Sequence, residues 1–202
     1  MALVIVITAA KPEEAIAWWM ESADALVFLG ILAFTYKRLT LSQASYLLIF
    51  VFLVLHEWGA QYKYSSVPLG EWMKPWLHTK RNHFDRVMHF NYGFLLGYPM
   101  QEWLMRSAGV RKWRYVLPVA MIVAFSAIYE MAEALMAVIL TPDRGEEFVG
   151  MQGDMWDSQE DMAMAWLGAM VTMCIVAVIR SRRAQPAIAD RPYVVRKAGS
   201  GR

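Results

Sequence analysis

Acidic side chains recur at helical spacing in "QGDMWDSQEDM", residues 152–162, which leads directly into a long apolar segment. Asp154, Asp157 and Asp161 stand at positions i, i+3 and i+7, so a helix places them along one face. Capping of the helix N-terminus explains Asp154 and Asp157, but Asp161 lies too deep for that role. The segment therefore predicts carboxylates that face a polar site at the start of a membrane helix.

Other apolar segments end or begin with groups of the same kind. Asp85 and His89 are four residues apart, and Glu130 and Glu133 are three apart, so each pair shares a helix face. Carboxylate oxygens and imidazole nitrogens together can bind a divalent cation, which is the cofactor that the sequence predicts. The predicted metal ligands are His56, Asp85, His89, Asp157 and Asp161.

A cation held in this way would activate water for hydrolysis or phosphoryl transfer. We expect Glu130 or Glu133 to act as the base and Arg86 to bind an anionic group of the substrate. The expected partners are the lipid bilayer and an anionic lipid or small-molecule substrate, with no nucleic acid. The segment "HEWGA" lacks the second histidine of an H-E-x-x-H zinc motif, because Ala60 stands four residues after His56.

Two other functions fit the same residues. Without a metal, neighbouring buried carboxylates would have to share protons, which suits proton relay or cation-coupled transport. The groups could also form a packed polar network in a membrane protein without catalytic activity. The opposite ends of the helices offer only Glu102 and Gln101, which favours an enzyme over a transporter. The sequence leaves open whether the protein is an enzyme and how many copies assemble.

The composition indicates a membrane protein, because 57% of the 202 residues are hydrophobic and 19% are charged. The apolar residues fall in runs of about 20, the length that spans a bilayer. We predict an all-α polytopic bundle with a short apolar N-terminal segment, a loop over 61–84 and a run at 85–105 that is polar enough to need shielding by its neighbours. The five predicted spans are 15–36, 42–60, 85–105, 113–140 and the segment that ends at Arg180.

Charges are distributed unevenly between the predicted loops. Thirteen of the 20 Lys and Arg residues fall on the side that holds 37–41, 106–114 and the C-terminal tail. This places the C-terminus in the cytoplasm and the site on the outer, periplasmic side. Residues 1–181 form the predicted transmembrane domain, and 182–202 a disordered basic cytoplasmic tail. Cys174 is the only cysteine, which excludes an intrachain disulfide and a Cys-rich metal site.

Five segments, in this order, carry a resemblance to a known family: "HEWGAQYKYSSVPLG", "NHFDRVMHFNYG", "YPMQEWLMR", "SAIYEMAEA" and "GMQGDMWDSQEDMAMAWLGA". On these motifs the chain resembles the YjdF family of bacterial inner-membrane proteins from about Pro12 to Arg180. The resemblance implies an integral inner-membrane protein of about six helices, with "MALVIVITAA" as the end of a shortened first helix. The family has no established activity. The resemblance therefore implies the location and the fold of the protein but no reaction.

Overall fold

A computed structural model describes residues 1–139 and 152–184, and the regular structure in these ranges is entirely helical. This confirms the predicted all-α class. The predicted tail lies largely outside the described residues, although the last helix includes 182–184. The helices are α1 (Ala2–Ala9), α2 (Ala15–Thr35), α3 (Gln43–Gln61), α4 (Pro68–Leu77), α5 (Phe84–Ser107), α6 (Val116–Ile139) and α7 (Asp157–Ala184).

Within the described ranges, four helices are long and apolar enough to cross a membrane: Ala15–Thr35, Gln43–Gln61, Val116–Met136 and Asp157–Arg183. Helix α5 has the length, at 24 residues, but it is too polar to qualify by composition. It packs against α3, α6 and α7, which shield its polar side chains from lipid. The sequence predicted five spans, whereas four of the described helices qualify by length and composition. The difference is α5, the run that was expected to need shielding by its neighbours.

The connection between α3 and α5 contains a helix where the sequence predicted a loop, so that expectation was wrong. Helix α4 begins with Pro68, whose fixed backbone angle and missing N–H suit the first helical position. It ends at Leu77, and the C-cap residue His78 adopts a left-handed conformation with φ of 50°. Trp72 and Trp76 are exposed on its surface, as expected of residues at a membrane interface.

The closest helix contact joins α5 to α7. A Cβ atom added to Gly93 would stand 1.9 Å from the carbonyl oxygen of Ala165. The same addition to Gly168 would stand 2.1 Å from the carbonyl oxygen of Phe90. Small residues allow membrane helices to approach at backbone distance, where van der Waals contact stabilises them. This contact sets the relative position of the helix starts that carry Asp85 and Asp161.

We predict that Gly93→Ala separates α5 from α7, because the new methyl group meets backbone that cannot turn away. Overpacking of this kind destabilises a protein by about 1–3 kcal/mol, so the thermal unfolding temperature in detergent should fall by several degrees. Gly30→Ala is the matched control, since nothing lies within 4 Å of its added Cβ. Equal unfolding temperatures for the two variants would contradict the close contact.

At one end of the bundle, the starts of α2, α5 and α7 meet the ends of α3 and α6; we call this the site end. At the other end, Glu102 of α5 accepts hydrogen bonds from the backbone N–H of Ser42 at 3.0 Å and from the hydroxyl of Ser45 at 2.5 Å. It also pairs with Arg106 at 2.6 Å. Glu102 thereby holds Ser42, the N-cap residue of α3, against α5, so this acid has a structural role.

Candidate functional site

Three predicted metal ligands converge at the site end. Asp85, His89 and Asp161 each offer a ligand atom, and these atoms all lie within 4.8 Å of one another. Nε2 of His89 lies 3.7 Å from Oδ1 of Asp85. Asp161 is only 2% exposed, and its Oδ1 atom has no hydrogen-bond partner among the described residues. One oxygen of a carboxylate that belongs to this group therefore is buried with its lone pairs unmatched.

A connection between the starts of α5 and α7 brings these residues together. The side chain of Asn82 accepts a hydrogen bond from the backbone N–H of Phe84 at 3.1 Å, which satisfies one of the unpaired N–H groups at the start of α5. The backbone of Asn82 also exchanges two hydrogen bonds with the side-chain amide of Gln152, at 2.9 and 3.1 Å. Since Asn82 is fully buried, this exchange holds the segment before α7 against the first turn of α5.

Of the predicted bases, Glu130 lies against the ligand group. Its Oε1 atom is 3.3 Å from Nε2 of His89, and the residue is 6% exposed. Glu133 is half-buried one turn further along α6 and interacts electrostatically with Glu130 and Asp85. Both acids therefore lie where a base could act on a water held at the ligand group.

His56 lies outside the group of three, and both of its ring nitrogens are engaged. Nε2 lies 3.0 Å from the carbonyl oxygen of Glu21, which can only accept, so Nε2 carries the proton. Nδ1 then accepts a hydrogen bond of 2.5 Å from the hydroxyl of Tyr64. Burial, with nearby acidic groups, raises the pKa of Tyr64 well above its usual value, so the hydroxyl keeps its proton. His56 therefore has no free lone pair for a metal in this arrangement.

The last predicted ligand, Asp157, is paired with a cation. Arg81 and Asp157 form a buried ion pair, with exposed fractions of 8% and 3%. Arg86 lies 3.9 Å from Asp157 and pairs with Asp154 and Glu160, each at 2.5 Å. The predicted anion-binding arginine is thus surrounded by carboxylates of the α7 start.

Two groups beside this network have shifted pKa values. The backbone N–H of Trp156 donates to Asp154 at 2.9 Å, and together with Arg86 it lowers the pKa of Asp154 below its usual value. Burial, followed by the charges of Arg86 and Arg81, lowers the pKa of His83. Asp154 therefore remains charged and His83 neutral at neutral pH, which suits their positions beside an arginine.

Several residues of the site end carried little sequence signal. Arg81, Asn82 and Gln152 lie in connecting segments without periodicity, so their partners could not be inferred from spacing. Glu57 stands beside His56 in the sequence, but its burial depends on how α1 packs. Tyr129 did carry a sequence signal, because it directly precedes Glu130. In the structure its ring lies 6.0 Å from that of His89.

Comparison with known proteins extends this picture. Residues 1–182 match the family model described as "Predicted membrane protein (DUF2238)". The chain is also 32% identical over 185 residues to the inner membrane protein YjdF of Escherichia coli (strain K12). That alignment covers 91% of this chain and 88% of the relative. The chain belongs to this family.

Membership in the DUF2238 family confirms the resemblance carried by the five sequence motifs. It agrees with the apolar helices in making the chain a multi-pass inner-membrane protein in contact with the lipid bilayer. No solved structure matches the chain.

Proposed function

We propose that the site end binds a divalent cation and uses it to hydrolyse or transfer a group of a lipid or another envelope molecule. The observation that carries this proposal is the buried carboxylate of Asp161, which offers a ligand atom within 4.8 Å of those of Asp85 and His89 and has an oxygen, Oδ1, without a hydrogen-bond partner among the described residues. Burying an ionised carboxylate without a counter-charge is strongly unfavourable. A divalent cation supplies that charge and uses the lone pairs that the protein leaves unmatched.

The donor set suits catalysis. Two carboxylates and one imidazole give three protein ligands, the number that catalytic zinc sites use while they keep a position open for water or substrate. The mixture of oxygen and nitrogen donors also suits manganese or iron. A bound cation would lower the pKa of its water and supply a hydroxide nucleophile at neutral pH.

The neighbouring groups fit the remaining roles. Glu130, 3.3 Å from His89, is placed to take a proton from a water at the ligand group, and Glu133 is placed to exchange protons with Glu130. Arg86 pairs with Asp154 and Glu160, which are 28% and 49% exposed in their side chains. An anionic substrate could displace these partly exposed carboxylates from the guanidinium.

A periplasmic orientation is part of the proposal. The distribution of Lys and Arg favours a cytoplasmic C-terminus, which directs the site end away from the cytoplasm. Lipids of the outer leaflet would then be the nearest substrates. Helix α4, with its exposed tryptophans, would lie at the same surface.

An ion-coupled carrier is the second candidate. It is favoured by the row of polar groups that continues from His89 past Tyr129, whose hydroxyl lies 3.5 Å from Glu21. A carrier also needs polar groups toward the other membrane surface. There Glu102 is already bonded to Ser42, Ser45 and Arg106, which supports an enzyme over a carrier.

The test is metal-dependent conversion of lipid by the purified protein. Vesicles of phosphatidylethanolamine and phosphatidylglycerol are incubated with the protein and Zn²⁺ or Mn²⁺, and products are identified by mass spectrometry. We expect Glu130→Gln to retain the metal but to lose about 10²–10⁴-fold of the rate, the contribution of a general base. Wild-type protein that carries metal and converts no lipid would count against the lipid substrate. Undiminished turnover by Glu130→Gln would remove that residue from the mechanism.

A further inference from the structure

A second polar cluster lies apart from the three-ligand group, where α1, α2 and α3 meet. Glu57 of α3 is fully buried, and its Oε2 atom accepts hydrogen bonds from the hydroxyls of Thr8 and Ser22, both at 3.1 Å. The indole N–H of Trp18 donates to the Thr8 hydroxyl at 3.2 Å. The other carboxylate oxygen, Oε1, has no hydrogen-bond partner among the described residues.

The oxygen atoms of this cluster have lone pairs to spare. Ser22 donates to Glu57 and keeps both of its acceptor sites, while Thr8 keeps one after it accepts from Trp18. The carbonyl oxygen of Ile5 lies 3.1 Å from the Thr8 hydroxyl and belongs to the same group of oxygens. The cluster is therefore rich in hard oxygen donors and contains a single carboxylate.

The unpartnered oxygen is the feature that calls for a ligand. Glu57 is fully buried between three helices, and its Oε1 atom has no hydrogen-bond partner among the described residues. Buried polar atoms in folded proteins are normally matched by a partner. A bound cation would use the lone pairs that the protein leaves unmatched here.

We propose that Glu57, Thr8 and Ser22 bind Na⁺ at this three-helix junction. A small monovalent cation matches the single carboxylate in charge and prefers the oxygen donors that line the cluster. Both hydroxyl oxygens lie 3.1 Å from the Glu57 carboxylate, so the three side chains can reach one small ion with little movement. Each helix contributes one of these side chains, so the ion would hold α1 against α2 and α3.

The test compares the thermal unfolding of the purified chain, in detergent and with EDTA, in NaCl and in N-methylglucamine chloride of equal ionic strength. Saturating Na⁺ should raise the unfolding temperature of the wild type by roughly 5 °C. Glu57→Gln and Ser22→Ala should each lose this response. Ser126→Ala is the matched control, because Ser126 is also buried with an unpartnered hydroxyl but lies on α6. It should respond as the wild type does, and so should Asp161→Asn.

Three results would overturn the proposal. One is an equal unfolding temperature for the wild type in both salts, which would mean that a proton or water occupies the cluster. Another is a Na⁺ response that survives in Ser22→Ala and Glu57→Gln, which would place the ion elsewhere. The third is loss of the response in Asp161→Asn, which would assign Na⁺ to the three-ligand group. If Glu57→Gln does not fold, Ser22→Ala and Thr8→Val give the same comparison.

Discussion

Replacing Asp161 by asparagine should weaken the binding of Zn²⁺ or Mn²⁺ by at least about 100-fold, because loss of even an outer-shell partner weakens metal binding by about 10–100-fold. The same change should leave the metal-free protein as stable as the wild type or more stable, since a neutral amide is easier to bury beside Asp85 than a carboxyl group is. Isothermal titration gives the affinity, and thermal unfolding in EDTA gives the stability.

Glu160→Gln is the control for this prediction. Glu160 belongs to the same turn of α7, but its side chain is 49% exposed and pairs with Arg86. It should bind metal as the wild type does. If Asp161→Asn and Glu160→Gln bind metal equally well, the ion is not held by Asp161. If Asp161→Asn unfolds more easily in EDTA, its carboxylate has a structural role instead.

Breaking the buried pair of Arg81 and Asp157 should be the most destabilising single change at the site end. Arg81→Gln leaves Asp157, which is 3% exposed, without its main counter-charge. Breaking a buried ion pair costs about 3–5 kcal/mol, and Arg86, at 3.9 Å, should hold the loss near the lower value. Chemical denaturation of the reconstituted protein measures it.

A double-variant cycle separates this pair from its surroundings. Arg81→Gln combined with Asp157→Asn removes both charges, so much of the stability should return. Lys80→Gln is the control, because Lys80 is exposed and should change stability by no more than about 0.5 kcal/mol. An Arg81→Gln variant as stable as Lys80→Gln would show that the pair contributes nothing.

The spans were the most predictable part of the fold. Runs at 15–36 and 42–60 correspond to α2 (Ala15–Thr35) and α3 (Gln43–Gln61), because hydrophobic length alone defines a membrane helix. Helix α4 was missed, since its ten residues mix aromatic, charged and proline residues. Pro68 at its first position was the available signal.

The part of the candidate site whose residues follow helix periodicity was predictable. Spacing and depth placed Asp85, His89 and Asp161 among the five predicted ligands, and the structure brings these three together. Partners supplied by irregular backbone were not predictable. Tyr64 reaches His56 because Lys63 and Tyr64 adopt left-handed conformations, with φ of 53° and 55°. Such a turn of the chain leaves no periodic pattern in the sequence.

Asp157 is a residue whose position was predicted but whose partner was not. Its position on the face of α7 was predicted, but its partner Arg81 comes from the connection before α5, at a sequence separation of 76 residues. Only the tertiary structure brings the two together, through the exchange of hydrogen bonds between Asn82 and Gln152. A contact of this kind therefore could not be inferred from spacing in the sequence.

The most direct test of the account is the metal content of the purified wild-type protein, measured by elemental mass spectrometry before and after incubation with Zn²⁺ or Mn²⁺. We expect about one divalent ion per chain, removed by EDTA and lost in Asp161→Asn. A wild-type protein that carries no divalent ion and binds none when it is added would contradict the proposed metal site.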